Sequence, residues 1–301
     1  MRKTVGLVLL GLFGFLAVAA VLTATVAPGM LKKTPLDVDS ETRLTGTASY
    51  LGAPEVPVKA LNHTVADGKT STSDVVVFDT FTCVIRNPDG NSPDCLSGDD
   101  ERTLTLSSDR FATNRTSAES VPAEQSGDFG VEPHEGVVNK WPFDPEPKTY
   151  TYWDGLLGRG VEAVYDGEED VDGVPAYRYR VTVTDQPAEV SKGVSGLYSD
   201  DKTLWIDRGT GSILDTKEHQ VRTLEDGASA LDITLAYTAD TVKKNVEDAK
   251  ANNAQLSVLG WAPIALGVLA LLALAGGVFL RMAESRGGAA HATREPERVR
   301  G

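Results

Sequence analysis

Two long uncharged stretches, one near each end, constrain this chain more than anything between them. Residues 5–27 run for 23 positions without a charge, and residues 256–280 for 25. At about 1.5 Å per residue, either is long enough to cross a hydrocarbon core of about 30 Å as a helix. The intervening 228 residues, 28–255, are then held between two anchors on one side of a membrane. A cleaved signal peptide is the alternative for the first stretch, since Thr25-Val26-Ala27 is rich in small residues. Pro28 follows at once, however, and 23 uncharged residues exceed the usual apolar core of such a peptide, which favours an uncleaved anchor.

Charge orients the chain. After Leu280 come Arg281, Arg286, Arg294, Arg298 and Arg300 against three glutamates, whereas Arg2 and Lys3 are roughly offset by Lys32 and Lys33 beyond the first span. With two spans both ends share a side, and the arginine-rich tail places that side in the cytoplasm. The expected organisation is a cytoplasmic N-terminus at 1–4, spans at 5–27 and 256–280, and an extracytoplasmic β-rich domain at 28–238. A juxtamembrane helix at 239–255 and a basic cytoplasmic tail at 281–301 complete it. Between the spans, 22 Lys and Arg face 40 Asp and Glu, a net −18. So acidic a domain is a poor nucleic-acid binder, and no nucleic-acid partner is expected.

Cys83 and Cys95 are the only cysteines, and they bracket a segment rich in turn formers. Two strands meeting across that loop would bring them within disulfide distance, in keeping with an oxidising compartment; two unrelated thiols are the plainer alternative. A metal site lacks further ligands.

The outer domain reads as mostly strand, with little helix. Residues 75–82 begin apolar and end alternating, 176–184 and 231–237 alternate throughout, and 203–214 read as a hairpin around Arg208-Gly209-Thr210-Gly211. Further strands are expected at 43–51, 56–65, 103–107 and 149–153. Eight to ten strands suffice for a mainly β (α+β) fold, a curved antiparallel sheet or a barrel-like domain between two transmembrane helices. Residues 117–138, with three glycines, two prolines and five acids, read as a mobile loop. Val242, Val246, Ala249 and Asn253 share one helical face, with Thr238 or Asp240 to cap it. That helix is expected to run into the second span as a stalk, the alternative being a flexible polar linker.

Catalytic patterns are thin. His63, His134 and His219 each stand alone in sequence, and no Gly-x-Ser-x-Gly elbow or phosphate loop is present. Ser199-Asp200-Asp201-Lys202 matches Ser-x-x-Lys without its companion motifs and reads as a polar turn. Glu168-x-Asp170-x-Asp172-Gly173 copies the start of a calcium loop, but Tyr179 stands at its twelfth position, so a solvated acidic turn is the better reading. No catalytic residue, metal or cofactor is assigned. The 40 acids leave a carboxylate pair for glycoside cleavage open.

The most unusual local feature is aromatic. Trp141, Phe143, Tyr150, Tyr152 and Trp153 fall within 13 residues. Either they close the core, Tyr150 and Tyr152 sharing one strand face, or some of them line the wall or mouth of a ligand cavity or rest against lipid headgroups.

With these residues in hand, the chain resembles a family of actinobacterial two-span envelope proteins, catalogued as a domain of unknown function and labelled the porin PorA family. The resemblance is carried by Leu7-Val8-Leu9-Leu10 with Val26-Ala27-Pro28, Lys33-Thr34-Pro35-Leu36-Asp37 and Leu44-Thr45-Gly46-Thr47-Ala48. Lys140-Trp141-Pro142-Phe143-Asp144, Tyr150-x-x-Trp153-Asp154-Gly155 and Asp207-x-x-Thr210-Gly211 continue it over nearly the whole chain. A corynebacterial relative is linked to maturation of lipomannan and lipoarabinomannan, with an outer domain thought to hold a lipid-binding cavity. The resemblance therefore implies a non-enzymatic envelope protein whose partners are a membrane lipid or glycolipid, or envelope-assembly enzymes. The alternatives are a scaffold or regulator of an envelope glycosyltransferase, and less plausibly a channel or an envelope glycoside hydrolase. Against the channel, the outer domain is too polar for a continuous lipid-facing belt, and neither span carries an interior charge to line a pore.

Overall fold

The computed structural model describes residues 2–289; Met1 and residues 290–301 of the basic tail lie outside the described residues. The chain divides into two compact units, residues 32–253 and residues 1–31 with 254–301.

The first unit is built on one antiparallel sheet of ten strands. They are β1 (Asp39–Tyr50), β2 (Val56–Ala66), β3 (Val75–Arg86), β4 (Thr103–Asn114), β5 (Tyr150–Asp154), β6 (Arg159–Val171), β7 (Val174–Ser191), β8 (Val194–Asp207), β9 (Ile213–Leu224) and β10 (Ser229–Tyr237). Their spatial order is β4-β3-β2-β1-β10-β9-β8-β7-β6-β5, so every neighbour but the β1–β10 pair is a neighbour in sequence. The fold is the mainly β, curved antiparallel sheet that the alternating segments imply. Register carries one row of side chains across it: Tyr150, Ala163, Val181, Lys202, Glu218, Leu235, Gly46, Val58 and Arg86.

That row lies on the concave face. Tyr198 on β8 hydrogen-bonds Asp154 on β5 at 3.2 Å, and Lys202 Nζ lies 5.5 Å from the Tyr152 ring. These strands are three steps apart, about 14 Å at the usual strand spacing of about 4.8 Å, so only a curled sheet brings the side chains together. The opposite face is polar where no other element covers it, carrying Arg43, Lys59, Arg178, Arg180, Asp201, Lys217 and His219. Arg180 pairs there with Asp201, and Arg178 with Asp166 and Glu169.

The segment 117–138 differs from the expected mobile loop. It crosses between the two edge strands, with single β-bridges Thr113–Ser120, Glu119–Val137 and Val137–Tyr152, and contains a 3-10 helix, Ala123–Phe129. Val137 donates its N–H to Thr151 and accepts from Trp153, both at 2.9 Å. Gly136 has φ +68° and a Cβ there would lie 2.1 Å from the Thr151 carbonyl oxygen, so this crossing requires glycine. Val121 packs with Val77 and Ala112, against which Phe129 and Val131 also lie. The turn formers shape this strap, while its scattered apolar residues bury it.

Helix α3 (Ala239–Ala289) is unbroken, and Thr241 N–H donates to the Thr238 hydroxyl at its start. Its first turns are no free stalk: Val246 and Ala249 are buried against Val174, Ala176, Trp205 and Leu214 on the outer face of the sheet. The Cys83–Cys95 disulfide is formed, with Cα atoms 5.8 Å apart, and ties the β3–β4 connection to β3.

The second unit holds α1 (Arg2–Thr25), α2 (Ala27–Leu31) and the remainder of α3. Residues Thr4–Thr25 and Ala239–Ala283 contain windows long and apolar enough to cross a membrane. The two helices approach closely at glycine: a Cβ on Gly277 would lie 3.2 Å from the Gly6 carbonyl oxygen and 3.1 Å from Leu10.

Candidate functional site

The concave face is two-sided. On β10, β1, β2 and β3 it carries an apolar cluster of Leu44, Ala48, Val58, Ala60, Val84, Leu231 and Ile233, beside a polar patch in which Asn62 donates to Thr80 and Thr82. On β5, β8 and β9 the alternation persists but places polar groups inward: Tyr152 and Asp154; Tyr198, Asp200 and Lys202; Glu218, Gln220 and Arg222. The two walls meet where Leu235 of β10 pairs with Glu218 of β9. Leu235, Tyr237, Lys202, Glu218, Gln220 and Arg222 all stay partly exposed there.

At the centre stands Asp200. Its side chain is wholly buried, and neither carboxylate oxygen has a hydrogen-bond partner among the described residues. Lys202 Nζ is 3.6 Å from Asp200 and 3.4 Å from Glu218. Burial dominates the Asp200 carboxyl and pushes it up to about 7, against the opposing pull of Lys202. Burial alone would discharge Lys202, but Glu218, Tyr152 and Asp200 outweigh it and hold the ammonium charged. Burial lowers Arg222 from its ordinary range; its Nη2 donates to Gln220 at 2.9 Å while Nε has no partner among the described residues. Gln220 in turn donates to Glu218. Asp154 is fully engaged, accepting from the N–H groups of Leu156 and Leu157 and from the Tyr198 hydroxyl.

Asp200 and Lys202 thus lie in the middle of β8, not in the polar turn that Ser199-Asp200-Asp201-Lys202 suggests. The available signal is the inward row Tyr198, Asp200, Lys202, Leu204, Ile206, a period-2 pattern whose polar members fall on the apolar phase. Asp172-Gly173, within the calcium-loop-like acidic stretch, forms the two-residue turn of the β6–β7 hairpin, both residues having positive φ.

The five aromatic candidates are divided among different environments. Trp141 is fully buried, stacked on Tyr152 at 5.6 Å and packed on Tyr179 at 5.3 Å. Tyr150 is buried edge-on to Tyr179, and its hydroxyl accepts from the Glu146 N–H. Tyr152 turns a partly exposed ring toward Lys202. Phe143 lies under Lys140 Nζ, 3.8 Å from the ring centre. Trp153 projects from the opposite side of β5 onto His134, 4.3 Å between ring centres. A shallow recess of about 330 Å³ at the far ends of β7 and β8 involves none of the five.

A curled ten-stranded sheet with charge buried on its inner face, on a chain bearing two helices long and apolar enough to cross a membrane, defines a β-domain protein flanked by apolar helices. The chain belongs to the porin PorA family, whose model matches residues 5–279. No curated protein matches it. Two solved structures show distant likeness. The S-type phycobiliprotein lyase CPES from Guillardia theta is 6% identical, covers 70% of this chain and 90% of its own, and has a TM-score of 0.26. A LolA superfamily protein from Nitrosomonas europaea is 8% identical, covers 74% and 91%, and has a TM-score of 0.15.

Proposed function

We propose that this is a two-pass, non-enzymatic envelope protein, with both termini cytoplasmic, whose extracytoplasmic β domain binds a lipid or glycolipid on its concave face. The observation that carries the reading is the two-sided inner surface, in which an apolar wall adjoins a charged and tyrosine-rich one. Acyl chains leaving a bilayer for the apolar wall exchange one apolar environment for another, so transfer is nearly neutral in free energy and reversible. The polar wall then supplies orientation. The disulfide is consistent with an oxidising, extracytoplasmic setting. Support of envelope lipoglycan assembly is the cellular role that fits such a binder.

The charged outer face speaks against a sheet-built pore. A strand surface carrying Arg178, Arg180, Asp201 and Lys217 would cost several kcal/mol per residue if it faced lipid near the bilayer midplane (about 2–4 for Arg or Lys). Native mass spectrometry with lipid extraction on the full chain in mild detergent tests the binder. A defined envelope lipid should co-purify at near-stoichiometric occupancy, and protein that emerges empty from several mild detergents would sink the reading.

A further inference from the structure

We infer that the Asp200–Lys202–Glu218 cluster is the headgroup subsite of the concave face and that it takes a neutral, polyhydroxylated headgroup. This deepens the lipid-binding reading and rests on it. The cluster sets three carboxylates, Asp154, Asp200 and Glu218, against two cations, Lys202 and Arg222, so it offers no net positive charge to an anion; Asp154 is already hydrogen-bonded by its own turn and by Tyr198. Hydrogen bonding is not balanced. Among the described residues both oxygens of Asp200 lack donors and Arg222 Nε lacks an acceptor, and the cross-strand pairs Asp200–Gln220 and Tyr198–Arg222 place these groups on adjacent rows.

A ligand that completes such a site must donate and accept at neighbouring points while bringing no charge. Hydroxyl groups do both. A phosphate or carboxylate would meet two carboxylates and the acidic domain around them, and a quaternary ammonium would meet Lys202 and Arg222 with nothing to donate. Orphaned buried polar groups also discriminate strongly, because a ligand lacking the matching hydroxyl leaves them unpaired. Lys202 and Glu218, with 15% and 14% of their side chains exposed, are the members that solvent reaches. A ligand hydroxyl meets Asp200 only by displacing the flexible stem of Lys202, whose Nζ lies 3.6 Å from that carboxylate.

The test uses the full chain held in amphipol, titrated below micelle-forming concentrations with dodecyl maltoside, dodecylphosphocholine and dodecyl phosphate. Maltose alone is run in parallel, with saturation-transfer NMR or native mass spectrometry as readout. The expected result is at least tenfold tighter binding of the maltoside than of the other two amphiphiles. At pH 8, where the Asp200 carboxyl is mostly ionised, Asp200→Asn and Glu218→Gln should each erase most of that preference while leaving dodecylphosphocholine affinity within about twofold, since each exchanges a pure acceptor for a mixed group. Equal affinity for the three amphiphiles, or a preference untouched by both variants, overturns the subsite but leaves lipid binding standing. Maltose binding as tightly as its dodecyl derivative supports the subsite and removes the lipid reading. No binding of any probe overturns both.

Discussion

His134 and Asp109 face each other with Nε2 2.9 Å from Oδ2, the imidazole side chain 3% exposed and the carboxylate 41%. His134 Nδ1 meets the Glu132 carbonyl at 2.8 Å, so both ring nitrogens point at acceptors and both must carry hydrogen. The ring also packs on Phe111 and Trp153, which places this ion pair at the junction of the strap with β4 and β5.

A pH dependence follows from that pair. Burial is the largest influence and opposes the charged imidazole, but the hydrogen bonds to Asp109 and to the Glu132 carbonyl, with the charge of Asp109, together outweigh it and raise the His134 pKa above the ordinary value. A raised histidine contributes stability fully below its unfolded pKa of about 6.5 and loses it as pH rises through the folded value. Burial likewise is the largest influence on Asp109 and opposes its charge, yet the hydrogen bond and charge of His134 with the Arg110 N–H together leave that carboxyl below its usual range, so the carboxylate's share is lost only in acid. His134→Gln should cost about 2 kcal/mol at pH 6, a buried-pair loss discounted for the half-exposed carboxylate, and much less at pH 9. Denaturation midpoints at the two pH values check this; a deficit independent of pH rules the imidazolium out.

The disulfide offers a second measure. Joining residues 12 apart restricts the unfolded chain by about 3 kcal/mol on the loop-entropy model. Replacing both Cys83 and Cys95 by alanine is therefore expected to lower unfolding free energy by about that amount, with added loss from the buried Cys83 site. A change under about 1 kcal/mol would mean that the β3–β4 loop is already ordered by other contacts, such as Arg43 and Lys59 on Asp94.

Trp141 and Phe143 should separate core from periphery. Trp141 is fully buried among Tyr150, Tyr152 and Tyr179, so Trp141→Ala is expected to cost about 4 kcal/mol by cavity formation. Phe143 is partly exposed beneath Lys140, so its alanine variant should cost about 1 kcal/mol. Thermal melts of the two variants decide the matter; equal losses would contradict the burial difference.

Much of this architecture is legible in the chain because local and tertiary preferences agree. Strand β7 alternates Tyr177, Tyr179, Val181 and Val183 inward with Arg178 and Arg180 outward, and β10 does the same with Leu231, Ile233 and Leu235. The two uncharged stretches that become helices are equally plain, and of the two cap candidates, Thr238 and Asp240, the helix uses Thr238. What escapes is where inward positions are polar. Most of β9 hides behind Lys217-Glu218-His219-Gln220, and β6 behind Glu168-Glu169-Asp170, because apolar periodicity vanishes when charges pair across strands. The candidate cluster lies in that blind region. The strap 117–138 is hidden for another reason: its burial depends on meeting β4 and β5, a contact that no local pattern encodes.

Close helix packing at Gly6 and Gly277 yields a prediction for the second unit. A leucine side chain in place of Gly277 would collide with Leu10 and the Gly6 carbonyl, so Gly277→Leu should part α1 from α3. Cysteines placed at Leu9 and Gly276, on a background lacking Cys83 and Cys95, report the pairing, since a Cβ on Gly276 would lie 3.4 Å from Leu9. Oxidative cross-linking should be efficient in that background and fall several-fold once Gly277→Leu is added. Unchanged cross-linking would show that the glycine contact does not hold the pair.

Asp200 sets the last expectation. Its carboxyl, dehydrated and without hydrogen-bond donors among the described residues, is pushed up from 3.8 to about 7. Between those values the folded chain holds a proton that the unfolded chain has released, so stability falls as pH rises from about 4 to about 7 and is flat above. Ionisation at pH 8 therefore strains the native state, and Lys202 relieves it only in part because it is shared with Glu218. Asp200→Asn removes the charge, keeps the shape and leaves Lys202 paired with Glu218. At pH 8 the variant should be more stable than the parent by on the order of 2 kcal/mol, and the two curves should converge near pH 4. Chemical denaturation in mild detergent at both pH values measures the gap. An asparagine variant no more stable than its parent at pH 8 would mean that Lys202 compensates Asp200 completely, leaving the carboxylate an ordinary member of an ion pair.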